Sequence, residues 1–429
     1  MKGKLNVFQA AMLRWREMHP YSAVHAVRVD APLDLGRLDE TIGVELTARG
    51  LGPLTLDVRR RRFEYLGGTT QVHVRVLPGA NDPANVLADE MARQLNEPFP
   101  AEGRIDPFRF FAIDAGGVFT LGLAYDHFIA GGDSIVLLLK AIVSRYLARG
   151  TGTAAVPELY PPTYRRALLR RPGALLGGLP CLPFLAMSGR HSHRPRYPEG
   201  ADGANGIVRC RLDAGELAAV LRTARKWNVT LNDLLLAVML QVLSPLTLKR
   251  RTARRRTYLA AASIINIRRD LHMDVHHAFG QFLSSFQVVH LVPDGITLAE
   301  LARDVHAQTA RIKRRHLYLQ ALIGLWYTGL IWPLLGASQR GFFHTKNFPV
   351  WTGMSTLNVD GLWRQDGASD SPPPYVRAVP TGPLAPMVMA ATTGGNALEI
   401  AISYRTAAFD RAAIDGIVAE SLRRLLALA

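Results

Sequence analysis

The stretch FTLGLAYDHFIAGGDSIVLLLKAI, residues 119–142, constrains this chain most. Val118 to Tyr125 reads as a strand, and it runs straight into Asp126-His127. The pair Gly131-Gly132 then marks a turn tight enough to need glycine. Ile135 to Leu147 follows as an amphipathic helix, with Asp133 or Ser134 placed to cap it. Any fold that accepts this segment holds a histidine at a strand end, beside the start of a helix. Such a histidine is a natural general base, because free imidazole titrates near ~6.5. The plainer reading is a buried, hydrogen-bonded histidine with a packing role. For a lone histidine that reading is the better one. The glycine turn and the motifs described below shift the balance toward chemistry.

Around this segment the chain alternates helical and extended patterns. In the first half, Leu5 to Trp15, Leu35 to Arg49 and Pro83 to Leu95 have helical spacing. Tyr21 to Val29, Thr69 to Leu77 and Phe108 to Ile113 read as strands, with Val72, Val74 and Val76 sharing a face of the second. Residues 161–200 break the alternation with prolines, glycines and arginines, and we expect a crossover between two lobes there. Beyond it come the strand Ile207 to Leu212 and the helix Asp213 to Trp227, capped by Asp213. The helix Asp233 to Leu243 follows, with Thr230 and Asn232 as caps. Tyr258 to Ile267, Phe282 to Leu291, Ser355 to Val359 and Ala397 to Tyr404 read as strands. Leu298 to Arg314 and Phe409 to Leu428 read as helices. No repeat or low-complexity tract is visible.

Leu317 to Gln339 is 23 residues without a charge, flanked by Arg314, Arg315 and Arg340. Length alone allows a membrane span. Gly324, Gly329, Pro333 and Gly336 interrupt it, and strand-rich structure lies on both sides. We therefore expect a buried or cleft-lining helix pair, ahead of an interfacial membrane contact and well ahead of a true span.

Composition narrows the function classes. The chain has 429 residues, two cysteines and a net charge of +16 from 51 Lys+Arg against 35 Asp+Glu. Cys181 and Cys210 cannot build a disulfide framework or a four-ligand zinc site. The sequence DLHMDVHH, residues 270–277, matches no zinc spacing, so no metal is expected. The basic surface would attract polyanions. No helix-turn-helix, zinc-finger or RNP-like motif supports nucleic acid as the partner. The N-terminus lacks the apolar core of a signal peptide, so we expect a cytoplasmic protein, membrane-associated at most.

The motif segment resembles the chloramphenicol-acetyltransferase-like superfamily of CoA- and carrier-dependent acyltransferases. Within it, the chain is most similar to condensation domains of nonribosomal peptide synthesis. The wax ester synthase/diacylglycerol acyltransferase and polyketide-associated acyltransferase branches are similar too. Their H-H-x-x-x-D-G-x-S signature aligns with Asp126 to Ser134, and His127, Gly132 and Ser134 match. Further resemblances follow in order: Asn96-Glu97-Pro98-Phe99 with Pro107-Phe108-Arg109, then TLNDLLLA at 230–237, Ile265 to Arg269 with Phe279-Gly280-Gln281, and STLNVDG at 355–361. Three positions depart. Asp126 stands for the first histidine, Gly131 for the aspartate, and Leu357 for the serine before Asn358.

The resemblance implies an α/β fold of two lobes, each a mixed sheet flanked by helices, with an active-site channel between them. We expect lobes at 1–160 and 201–429, joined by 161–200. It implies direct acyl transfer, with His127 as base and Thr356 and Asn358 as candidate oxyanion donors. Gly131, Gly132, Asp133, Ser134, Arg268 and Arg269 would support the site. Asp133 would replace the missing aspartate opposite Arg268 or Arg269. Arg250, Arg251, Arg254 and Arg255 would receive the phosphates of the donor. No tightly bound cofactor is implied; acyl-CoA or a phosphopantetheine-linked acyl carrier protein would be the donor substrate. An alcohol, or less readily an amine, would be the acceptor. We expect a stand-alone, monomeric, ester-forming acyltransferase of lipid or secondary-metabolite chemistry. The alternatives are an amide-forming condensation enzyme or a non-catalytic member that binds carrier protein or lipid.

Overall fold

A computed structural model describes residues 1–68, 72–79, 82–147, 158–159, 169, 172–173, 191–195, 203–249, 256–274, 276–364 and 372–428. Two mixed sheets organise it. The first has five strands in the order Tyr375–Ala378, Ser22–Val29, Phe119–Asp126, Phe108–Asp114, Arg75–Pro78. The second has six, in the order Asn205–Leu212, Ala397–Arg405, Met387–Gly394, Thr352–Asn358, Leu259–Asn266, Leu283–His290. A four-stranded sheet, in the order Lys2–Lys4, Arg62–Tyr65, Leu54–Asp57, Gly103–Ile105, flanks the first lobe.

Helices cover both sheets, and their ends follow from local chemistry. Asp213 accepts from Glu216 N while Glu216 reaches back to the Asp213 amide, which fixes the start of Ala214–Lys226. Thr230 and Asp233 exchange the same pair of bonds at the start of Leu231–Lys249. Asn232 was expected to share that cap; it lies one residue inside the helix instead. Leu234 to Leu240 have no exposed surface, so this helix is the core of the second lobe.

Three expectations need correction. Of the extended segment Thr69 to Leu77, the first three residues lie outside the described residues; in the rest the strand is Arg75–Pro78, and Val76 points outward while Val74 is buried. The motif helix begins at Gly132 rather than Ile135, so its cap is Gly131, which has no side chain to offer; Asp133 and Ser134 sit in the first turn. The segment Leu317 to Gln339 belongs to a run of helices with an exposed face. A 3-10 turn, Leu317–Leu319, leads into the helix Gln320–Ile331, a second 3-10 turn, Trp332–Leu334, and the helix Ala337–Asn347. Tyr318, Leu319, Leu322 and Trp332 are buried, yet Trp326, Tyr327, Leu330 and Leu334 are exposed.

The strand Tyr375–Ala378 was not expected at all. It comes from the C-terminal part of the chain and joins the sheet of the first lobe, antiparallel to Ser22–Val29. Most of residues 161–200 lies outside the described residues, apart from short pieces. One of these bridges Ser192 to Tyr258 and passes the Ser192 carbonyl to Arg256.

Candidate active site

The motif strand Phe119–Asp126 pairs along its whole length with Ser22–Val29 and Phe108–Asp114. The loop that follows folds back at once, through a bond from Ile129 N to Asp126 O. Two buried amide side chains hold its carbonyls. Gln281 donates to the carbonyls of His127 (2.8 Å) and Ala130 (3.2 Å), and Gln9 donates to that of Phe128 (3.0 Å). Gln281 arrives from the second lobe and Gln9 from the N-terminal helix Val7–Arg16. The loop is therefore fixed at a junction of separate chain segments.

The glycines make that junction possible. Gly131 N donates to Gly280 O at 2.9 Å. A methyl group at Gly131 would come within 3.0 Å of Gln281 and 3.1 Å of Asp133. Gly280 itself sits at φ +150°, a conformation L residues avoid.

Behind the loop lies a buried clasp. Arg268 Nε stands 2.9 Å from Asp133 Oδ2, with both side chains nearly sealed from solvent. Its other nitrogens donate to Ser134 Oγ (2.6 Å) and to the Ala278 carbonyl (2.9 Å). Asn266 donates to Asp133 at 2.6 Å, and Ser134 exchanges bonds with both backbone groups of Gly280. Phe282 lies under the guanidinium, 4.3 Å from ring centre. Of the two candidate arginines, Arg268 makes the pair; Arg269 is exposed on the same helical turn. Asp133 thus meets an arginine of the second lobe, as expected.

On the opposite side of the loop, the His127 ring is buried between Tyr21 and Tyr125, with centroids at 5.5 and 5.8 Å. Its Nδ1 has no hydrogen-bond partner among the described residues. Burial, reinforced by the positive charge of Arg377, pushes its pKa down to about 3. The imidazole is thus neutral at neutral pH, with the imidazolium disfavoured by the same burial and the same neighbouring charge. Tyr21, on one side of the ring, also lines a cavity of about 240 Å³ together with Arg16, Ser22, Asn96, Pro98 and Phe99; His127 itself does not line it.

Asp126 forms a buried ion pair with Arg16, one of the residues of that wall. Burial nevertheless raises its pKa to about 6, against the pull of Arg16. The Asn-Glu-Pro-Phe segment serves to join parts. Asn96 exchanges bonds with the backbone of Asn205, and Arg109 stacks on Phe99 at 3.9 Å.

Thr356 and Asn358 lie on the strand Thr352–Asn358, both exposed. Alternation puts them on the face opposite Ser355 and Leu357. Thr356 donates to Asn232 at 3.4 Å, and Asn358 accepts from the Asp360 amide. It is Leu357 that looks toward the motif loop, where a methyl at Gly132 would stand 3.3 Å from it, and Ser355 on the same strand face accepts from Arg377. Arg250, Arg251, Arg254 and Arg255 lie outside the described residues.

No protein-family model and no curated protein matches the sequence. Solved structures do match its shape. The first condensation domain of the CDA synthetase superposes with a TM-score of 0.68 at 14% identity, over 100% of this chain and 96% of that one. The EpoB NRPS cyclization-docking bidomain from Sorangium cellulosum gives 0.70 at 13%, over 100% and 85%. The epimerization domain from the third module of tyrocidine synthetase B gives 0.65 at 14%, over 100% and 96%. This chain has the condensation-domain fold.

Within that fold, sequence reasoning missed the residues that set the field at His127. Arg377 is buried in the strand Tyr375–Ala378 and donates to Ser355, Thr392 and Ala391 of the second sheet. Its desolvated guanidinium has its pKa lowered to about 10 and still bears a charge. His25, fully buried, bonds Tyr375 at 2.7 Å and Tyr125 at 3.3 Å, and burial holds its pKa well below the usual value. The one signal for Arg377 was an arginine inside the apolar run YVRAV.

Proposed function

We propose that this condensation-domain-fold protein transfers an acyl group from a thioester donor to a hydroxyl or amine, with His127 as the base. The observation that carries the reading is His127 itself. It is neutral, sealed between two tyrosines, and held at a loop that two lobes brace from both sides. The acceptor O–H or N–H gives its proton to the imidazole as it attacks the thioester carbonyl. The tetrahedral intermediate collapses, the C–S bond breaks, and the imidazolium returns the proton to the thiolate. The substrates would approach through the cleft between the lobes.

The donor is acyl-CoA or an acyl carrier protein, and we favour an alcohol acceptor. The net charge of +16 suits either donor, since both present phosphate or acidic surface. Thr356 and Asn358 face the other side of their strand, so the oxyanion donors are better sought among groups on the Ser355 side. The site residues and the donor class are our assignment.

The test is thiol release from a panel of acyl-CoAs and acyl carrier proteins, with mixed alcohol and amine acceptors. We expect acceptor-dependent release that falls about 10²–10⁴-fold in His127→Ala. Equal release in mutant and wild type would remove His127 as the base. Donor binding without release in either would favour the non-catalytic reading.

A further inference from the structure

The helix pair 317–347, called the hairpin below because both its ends join one sheet, is apolar on its buried side and on its exposed side. Ile323, Trp326, Tyr327, Leu330 and Leu334 recur at helical spacing and form one stripe. All five are exposed, Leu334 by 83%. Phe342, on the second helix, and Phe348, just after it, are exposed too, at 49% and 39%. The inward side holds Leu319, Leu322 and Trp332, with His344 buried against Trp332 and Trp15. A contiguous exposed apolar patch with Trp and Tyr in it marks an interaction surface.

Charge identifies what covers it. Between Asp304 and Asp360 the chain has no Asp or Glu and six basic residues: Arg311, Lys313, Arg314, Arg315, Arg340 and Lys346. Arg311, Lys313, Arg314, Arg315 and Lys346 are exposed. Apolar and aromatic residues on one helix face, with cations in the chain on either side of it, suit the boundary of an anionic bilayer. Leu317–Leu334 is also long and apolar enough to cross a membrane, but only 28% of it is buried in the protein. The sheet excludes a crossing. Leu259–Asn266 pairs with Leu283–His290 before the hairpin and with Thr352–Asn358 after it, so both ends return to one side.

We propose that this hairpin docks the protein on an anionic lipid surface, lying in the headgroup layer. The surface is close to the site. Gly329 packs on Arg14 of the helix Val7–Arg16, and that helix supplies Gln9 to the His127 loop.

Flotation of the full chain with phosphatidylcholine vesicles, with and without phosphatidylglycerol, tests this. We expect binding only to the anionic vesicles, reversed by high salt. Trp326→Glu with Leu330→Glu should weaken it at least tenfold, and Arg314→Ala with Arg315→Ala about tenfold. Leu66→Glu, at an exposed leucine elsewhere, should leave it unchanged. Should the double glutamate fail to fold, Trp326→Phe reads the same face, through loss of a vesicle-induced shift in tryptophan emission. No binding by wild type, equal binding to neutral vesicles, or binding indifferent to the Trp326 and Leu330 changes would overturn the proposal. So would a wild-type dimer that the same changes dissociate, because a second copy would then own the face.

Discussion

The clasp around Asp133 and the hairpin 317–347 are opposites. The clasp encloses an ion pair and its hydrogen bonds inside the protein, while the hairpin leaves tryptophan, tyrosine and leucine outside. A folded chain tolerates a buried charge only where partners surround it, and Arg268 has them in Asp133, Ser134 and the Ala278 carbonyl. It tolerates exposed apolar residues with little cost to stability, because they lose nothing on unfolding. The clasp therefore serves folding and loop placement; the hairpin does not need to.

Perturbing each region sharpens that contrast. Arg268→Met leaves Asp133 buried and unpaired, and we expect a loss of about 3–5 kcal/mol in chemical denaturation. A loss below about 1 kcal/mol would mean that the pair is dispensable. Gly131→Asp alone should also destabilise, since the new side chain meets Asp133 and Gln281. Adding Asp133→Asn should recover part of that loss by returning the carboxylate to the other position, and no recovery would break the idea of a displaced charge. Acid should act on both regions. His127 and His19 titrate near 3, His344 near 4 and His25 well below 6.5 in the folded chain. The unfolded chain takes up those protons first, so stability falls as pH drops below about 6.5, by up to ~1.4 kcal/mol per pH unit per histidine. Asp126, raised to about 6, opposes this between about 6 and its unfolded value. A denaturation midpoint that stays flat from neutral pH into this acidic range would contradict these shifts. The smallest effect is at the hairpin: Leu334→Gln should change stability by less than about 0.5 kcal/mol.

What the sequence made legible was local. The strand, the glycine turn and the helix around His127 are written in neighbouring residues, and the capped helix starts at Asp213 and Thr230 follow from side chains three positions apart. Asp133 and Arg268 were within reach because each stands inside a recognisable segment. Arg377 and His25 were not. Their partners are sequence-distant, and their place depends on a strand that crosses from the end of the chain to the first sheet. Met387–Gly394 escaped for a different reason: it is buried on both faces, so no alternation marks it. The hairpin's length was readable, but which side faced outward depended on the body it packs against.

Arg377 has one more consequence. Its backbone belongs to the first sheet and its guanidinium grips the second. A gene fragment carrying only the first lobe would inherit the histidine without the charge that tunes it, and without the edge strand that closes its sheet. Shuffling of such lobes between genes should therefore rarely yield a working half. The two lobes are stitched together at this side chain, and the first sheet is complete only once the chain has run past residue 378.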